Sequence, residues 1–376
     1  MESSINLFPV RPPRINEVLV AIGVFIILLL LFSKVTQKVS LFIAIVLIIS
    51  LFVILKQPTL SLIASKSLRA LSGQNQALAK FTDIRWIGFS YIAFRLIHTL
   101  RDKQKDRFNN VNLETYINYC LFFPTLPAGP IDRLDHFKSE ISHTKEDKLN
   151  DFAIGGKRIV LGLFKKFAIS DSLALIALNN TNAVQVDSTP WMWTALFAYS
   201  FFIYFDFSGY SDIAIGLSRL MGVKMPENFN KLYLMPNLAT FWNSWHITLT
   251  QWFRAYFYNP FTRYLRTRKK PLPITIAIFI THVATMVLIG MWHGLTWNFI
   301  IWGVWHGLGL FIQNRWSYFL TQVMKKRQDN LLINNVLYIF STACTFIFVS
   351  VGWVWIAVTE PEISWHFLRN LAGIGE

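Results

Sequence analysis

Long apolar runs separated by short clusters of Lys and Arg set the rhythm of this chain. Residues 18–32 carry no charge, and a second apolar run over 39–55 follows almost at once. Each is short of the roughly 20 residues that a perpendicular span needs, which implies tilt or local thinning of the bilayer. With no small-residue cleavage site after the first run, residues 1–56 read as a retained helical hairpin with its N-terminus inside, not a removed signal peptide. Residues 86–100 are apolar but punctuated by Arg95 and His98, a pattern suited to burial in protein and not to lipid contact. The run 116–126 ends in Pro127-Ala128-Gly129-Pro130, which predicts a break or re-entrant turn, and Asp132 and Arg133 then read as a loop with an ion pair.

The alternating charges of 138–148 predict a cytoplasmic loop. Gly155-Gly156-Lys157-Arg158 leads into an apolar helix whose Lys165 and Lys166 would snorkel to an interface or face a cytoplasmic funnel. Residues 179–190 hold no Lys or Arg and are assigned to the extracytoplasmic side. The span 191–205 returns and ends at Asp206, with Ser208, Tyr210, Ser211 and Asp212 close behind; these polar groups need partners, and bonding between packed helices is the plain reading. After a turn-rich link at 226–230, residues 240–258 repeat Trp242, Trp245, Leu249, Trp252, Phe253 and Tyr256 down one helical face. Asn243, Ser244, Thr248, Gln251 and Arg254 fall on the other, and Pro260 is expected to end the helix. The cluster Arg263, Arg266, Arg268, Lys269 and Lys270 follows as a cytoplasmic marker.

Composition agrees with this rhythm. At 53% hydrophobic, 16% aromatic and 15% charged, the 376 residues are too apolar for an ordinary soluble enzyme. The net charge of +15 sits in clusters between apolar spans, as the positive-inside rule expects, so nucleic acid is not a partner. Cys120 and Cys344 lie in apolar sequence and read as small buried hydrophobes.

Candidate chemistry concentrates on histidine. Trp292-His293-Gly294 interrupts two apolar stretches, 274–289 and 295–312. An ionisable group at membrane depth marks a functional site by default. His246, beside Trp245, is its natural partner, whereas His98 and His306 read as structural. His246, His293 and His306 could supply metal ligands, but no HExxH-type spacing or adjacent carboxylate supports a metal.

Six stretches in order carry a resemblance: FPTLPAGPIDR (123–133), GGKRIVLGLFKKFAISD (155–171), YFDFSGYSDIAIG (204–216), PENFN (226–230), FWNSWHITLTQWFR (241–254) and MWHGLTWNFIIWGVWHG (291–307). Together they resemble the membrane-bound O-acyltransferase family, within it the bacterial branch of alginate O-acetylation and teichoic-acid D-alanyl transfer. The implied fold is an all-α polytopic membrane protein of roughly nine to eleven transmembrane or re-entrant helices around a central tunnel. It forms one domain over 1–376, with the hairpin at 1–56 and a motif-bearing core at 86–376.

The resemblance implies an O-acyltransferase of the inner (cytoplasmic) membrane. An acyl group, acetyl foremost and D-alanyl as the alternative, would pass from a cytoplasmic thioester to an extracytoplasmic polysaccharide hydroxyl or a partner transferase. The donor is coenzyme A or an acyl carrier protein, and no cofactor is bound. His293 is the implied base and His246 an orienting or oxyanion-side group, with Asn243, Trp245, Trp292, Asp206 and Trp297 as substrate-binding candidates. An imidazole with its ordinary pKa of about 6.5 suits the base, and direct transfer is expected because no serine or cysteine has a nucleophile's setting. A transporter of a lipid-linked or acyl substrate and a pure scaffold are the competing classes; only the enzyme requires His293 for chemistry.

Overall fold

The computed structural model describes residues 37–84, 88–105, 111–142, 148–323 and 331–374. The first run of the expected hairpin, 18–32, lies outside the described residues. Among the described residues every regular element is a helix: α1 (Gln37–Lys56), α2 (Pro58–Leu71), α3 (Phe89–Lys103), α4 (Leu113–Cys120), α5 (Leu134–Ser142), α6 (Lys148–Leu163), α7 (Asp171–Ala174), α8 (Asn182–Gln185) and α9 (Thr189–Leu220). Then come α10 (Leu238–Trp242), α11 (Ile247–Phe253), α12 (Asn259–Thr267), α13 (Ile274–His293), α14 (Trp297–Val323), α15 (Leu331–Ala357) and α16 (Pro361–Leu371). Among the described residues, three helices are long and apolar enough to cross a membrane: α1 over Val39–Lys56, α13, and α15 over Ile333–Ala357.

Contacts divide the chain into two compact units. The smaller contains α1, α2 and the part of α3 from Leu96 onward. There Gln57 caps α2 by accepting from Leu60 N, and Asp83 gathers the Ser65 hydroxyl (2.7 Å) and the Arg69 guanidinium (3.0 Å). The larger unit begins with residues 88–95 and resumes at Val111.

Glycine seams build the larger unit. In α6 and α9, Gly162 faces Gly209 and Gly155 faces Gly216, and a Cβ on Gly162 would stand 2.6 Å from the Gly209 carbonyl oxygen. Between α13 and α14, a Cβ on Gly303 would stand 2.5 Å from Val287 Cα and one on Gly307 2.6 Å from Val283 Cα. Small residues four apart let helix backbones meet where lipid leaves no hydrophobic drive for association. Polar ties reinforce the packing: Ser200 Oγ donates to Ser350 Oγ at 2.9 Å between α9 and α15, and Asn298 Nδ2 donates to Val358 O and to Ser364 Oγ.

Arg95 and His98 are both buried. Arg95 donates to Cys120 O (2.9 Å), Thr125 O (3.0 Å) and Thr125 Oγ1, so its charge pins the turn that leads into the Pro127–Pro130 break.

Several expectations are corrected. The helix at 191–205 does not stop at Asp206; α9 runs to Leu220 because its carboxylates find cations on α6 and the segment after it. Lys165 and Lys166, part-exposed, both have carboxylate partners. They sit in a π-helical stretch, Phe164–Ser170, with Lys165 on Asp212 at 2.6 Å and Lys166 on Asp206. Arg158 joins Asp212 to Glu227. Asp132 pairs with His136 at 2.8 Å instead of with the Arg133 side chain, which donates to Tyr256 Oη. The loop expected from residue 138 is helical to Ser142. Cys120 is buried, but Cys344 lies on an outward face of α15.

Candidate active site

His246 does not lie within a continuous helix over 240–258. α10 ends at Trp242, α11 starts at Ile247, and His246 between them has a left-handed backbone, φ 42°. The tryptophan repeat disguises this break because each short helix keeps the period on its own. A non-glycine residue in this conformation is strained and persists only where the surroundings fix it. Asn228 does the fixing. Its carbonyl accepts from Ile247 N at 2.9 Å, its side-chain oxygen accepts from Thr248 Oγ1 at 2.6 Å, and Asn230 N donates back to Ser244 O at 3.1 Å. Thr248 Oγ1 also receives Ile131 N at 3.0 Å, which ties the loop to the residue after Pro130.

The strain aims the imidazole inward. His246 is 2% exposed, its ring 4.7 Å from Phe207, and neither ring nitrogen has a hydrogen-bond partner among the described residues. His293 closes α13, where Gly294 turns extended, and its side chain is accessible. A Cβ on Gly290 or Gly294 would run into Phe299 of α14, so the two glycines let the hairpin fold tightly around this histidine. Trp292 links the pair. Its ring is 6.2 Å from His246 and 4.6 Å from His293, backed by Tyr91 at 5.9 Å and Phe94 at 5.5 Å. The two imidazoles lie within electrostatic reach of each other.

The other candidates divide. Trp245 is a core residue, packed on Phe229 and Trp353 at 5.2 Å each. Asn243 is exposed, and its Oδ1 accepts from Arg254 at 2.6 Å. Asp206 is held by Lys166, although its neighbour Phe207 touches His246. Trp297, 71% exposed at the start of α14, touches neither histidine through any ring contact seen. Sequence reasoning missed Asn228, Thr248 and Trp302, the last 5.8 Å from His293 and buried. Asn228 had a signal, an amide in a turn between apolar elements; Thr248 had none, because the helical wheel turned it outward.

Beyond Trp242 and Ile289 lies a cavity of about 310 Å³, whose wall adds Phe253, Arg254, Tyr258 and His282. Arg254–Tyr258 is a second π-helical stretch, and such turns favour functional sites. Pro260 does not end a helix; it sits in the first turn of α12, where its missing N–H costs nothing. His282 Nδ1 donates to Ile278 O at 2.9 Å, which leaves Nε2 as the side offered to the surroundings. Among the described residues no group of three or more His, Cys, Asp or Glu is placed to hold a metal ion. The arrangement offers an accessible imidazole, a second imidazole in a dry aromatic wall and a mostly apolar cavity nearby. That is the equipment for moving a proton during group transfer.

Comparison with known proteins gives this site a context. The sequence profile described as "MBOAT, membrane-bound O-acyltransferase family" matches residues 22–352. A probable alginate O-acetylase AlgI of Azotobacter vinelandii is 33% identical over 291 residues, 77% of this chain and 54% of that protein. A teichoic acid D-alanyltransferase of Bacillus subtilis is 32% identical over 223 residues, 58% of this chain and 56% of the relative. A peptidoglycan O-acetyltransferase of Helicobacter pylori is 31% identical over 268 residues, 70% and 48% of the two chains. The chain thus spans about half the length of the curated relatives it matches.

Proposed function

Because the chain belongs to the membrane-bound O-acyltransferase family, we propose that it transfers an acyl group, acetyl foremost, from a cytoplasmic thioester to a hydroxyl on the far side of the membrane. The observation that carries this reading is the juxtaposition of His293 and His246 across Trp292. His293, the accessible member, takes the proton of the acceptor hydroxyl as the oxygen attacks the thioester carbonyl. The carbonyl oxygen becomes an oxyanion, which an N–H of His246 stabilises. Collapse breaks the carbon–sulfur bond, and the thiolate leaves with the proton that His293 had taken. Among the described residues neither nitrogen of His246 has a hydrogen-bond partner, as suits a group reserved for a transient charge. Asn243 serves as a subsidiary polar contact, and Trp292, Trp245, Trp297 and Asp206 as surroundings of the substrate path.

The donor is coenzyme A or an acyl carrier protein. The cavity at Arg254, Tyr258 and His282 supports this, since it is mostly apolar with a few polar groups and the Arg263–Lys270 cluster follows in sequence. The acceptor is an extracytoplasmic polysaccharide or a partner transferase, and the site of action is the cytoplasmic membrane. Two of the relatives just described are named for O-acetylation, which favours acetate. The D-alanyltransferase keeps D-alanine as the second reading.

The test is the ester content of the cell envelope and exported polysaccharide in a deletion strain complemented with wild type or His293→Ala. Mild alkali releases the acids for mass spectrometry, while a membrane blot confirms that the variant is present. Loss of one acid at normal protein level supports the proposal, and the acid separates acetate from D-alanine. Unchanged esters overturn it in favour of transport or scaffolding.

A further inference from the structure

Two Trp-His-Gly tripeptides mark the α13–α14 hairpin, at 292–294 and 305–307. In the second, both outer residues have packing duties. Trp305 Nε1 donates to Phe348 O at 3.1 Å with its ring stacked on Phe348 at 4.6 Å, and Gly307 admits the backbone of Val283. His306 between them is fully buried, and neither of its ring nitrogens has a hydrogen-bond partner among the described residues. Its neighbours are the rings of Trp302 (5.0 Å), Trp242 (5.2 Å), Phe348 (5.7 Å) and Trp353 (6.2 Å). An apolar side chain would fill such a cage without the desolvation cost of an imidazole, so packing alone does not account for it.

Two other polar groups in the cage share its condition. The indole nitrogens of Trp242 and Trp302 are buried and without partners among the described residues, and their rings are 5.7 Å apart. The three rings therefore form a triangle with sides of 5.0, 5.2 and 5.7 Å. It carries two N–H donors and an imidazole that, when neutral, offers one acceptor and one donor. Gly352 packs against this histidine: the atom closest to a Cβ built there is His306 Nε2, at 2.7 Å, so any side chain at 352 would run into that nitrogen. Buried waters bridge groups of this kind.

We propose that His306, Trp242 and Trp302 form a binding site for a buried water, and that this site positions Trp302 against His293. His306 is then a positioning residue that acts through Trp302, whose ring meets His293 edge-on at 5.8 Å and 82°. The functional half of the proposal rests on His293 as the reacting histidine.

The experiment compares His306→Phe, which keeps an aromatic ring but no polar atom, with His306→Gln, which keeps a donor and an acceptor. Both are expressed in the deletion strain beside wild type and His293→Ala, and a high-resolution map is obtained for purified wild type and the Gln variant. At normal membrane levels, Phe is expected to lower envelope esters by at least about tenfold, and Gln to restore the larger part. Wild-type esters in the Phe variant, or equal losses in both, overturn the positioning role. If the Phe variant does not accumulate, the maps decide. A peak bonded to the imidazole and an indole nitrogen supports the site, and a triangle without one overturns it. Wild-type esters in His293→Ala would instead remove the functional reading, leaving the water site to the maps.

Discussion

The side-chain oxygen of Asn228 accepts the hydroxyl of Thr248 at 2.6 Å, while the Asn228 carbonyl accepts Ile247 N at 2.9 Å. Two bonds from one buried residue thus fix the backbone just beyond the left-handed His246. Asn228→Ala is expected to cost about 1–3 kcal/mol of stability, because it leaves Thr248 short of a buried acceptor. Activity should fall further than stability, since the strained φ of His246 loses the side-chain half of its clamp while the Asn228 carbonyl bond remains. Thermal unfolding in detergent and envelope ester content measure the two losses, and a variant with full ester content would refute the clamp.

The two histidines should respond differently to substitution. His293→Ala is expected to lower transfer by about 10²- to 10⁴-fold, the range for a lost general base. His246→Ala should cost a comparable factor for a different reason, the loss of one oxyanion donor, about 10²–10³. In the double variant the losses should fall well short of multiplying, because groups that act on one step do not contribute independently. Ester release from the four strains reads this directly; fully multiplicative losses would place the two residues in separate steps.

Gly303→Val would place a branched side chain where even a Cβ stands 2.5 Å from Val287 Cα. Overpacking of this kind costs about 1–3 kcal/mol. Since α13 and α14 meet at this seam and α13 ends in His293, the displacement should abolish transfer even in protein that still reaches the membrane. Membrane blots beside ester assays separate the two effects. A Val variant with normal transfer would show that the seam does not govern the site.

His136 titrates above the usual imidazole range because the Asp132 carboxylate accepts its Nδ1–H at 2.8 Å. A raised folded-state pKa means that the pair's contribution is complete below the unfolded value of about 6.5 and fades as pH climbs through the higher folded value. His136→Asn should therefore lower the melting temperature at pH 5.5 and leave it nearly unchanged at pH 8.5. Equal shifts at both values would assign the loss to packing. Half exposure of the imidazole keeps the effect small.

Much of this architecture was legible in the residue pattern, and the exceptions have physical causes. Arg95 and His98, read as buried polar interruptions, are buried. His293 stands out in sequence because an apolar surrounding makes any ionisable group conspicuous. The break at His246 was hidden because two short helices, each in phase, look like one long helix on a wheel. The continuity of α9 past Asp206 and Asp212 was hidden because the cations that neutralise them come from a distant stretch of chain. Pairings across helices leave no local trace in sequence, so Asn228 and Thr248, whose whole role is such a pairing, passed as linker and outer face.

The π-helical stretch Phe164–Ser170 turns two consecutive lysines toward one neighbouring helix, Lys165 onto Asp212 and Lys166 onto Asp206. In an ordinary α-helix adjacent residues diverge by about 100°; the wider π turn narrows that divergence, and the long lysine stems cover the remainder. The widened turn has the geometry of one extra residue in a helix, and the phase of contacts on either side depends on it. Losing a single codon here would restore a regular helix and swing everything before it out of phase with everything after. Gly155 and Gly162 would then lose Gly216 and Gly209, although none of the four had changed.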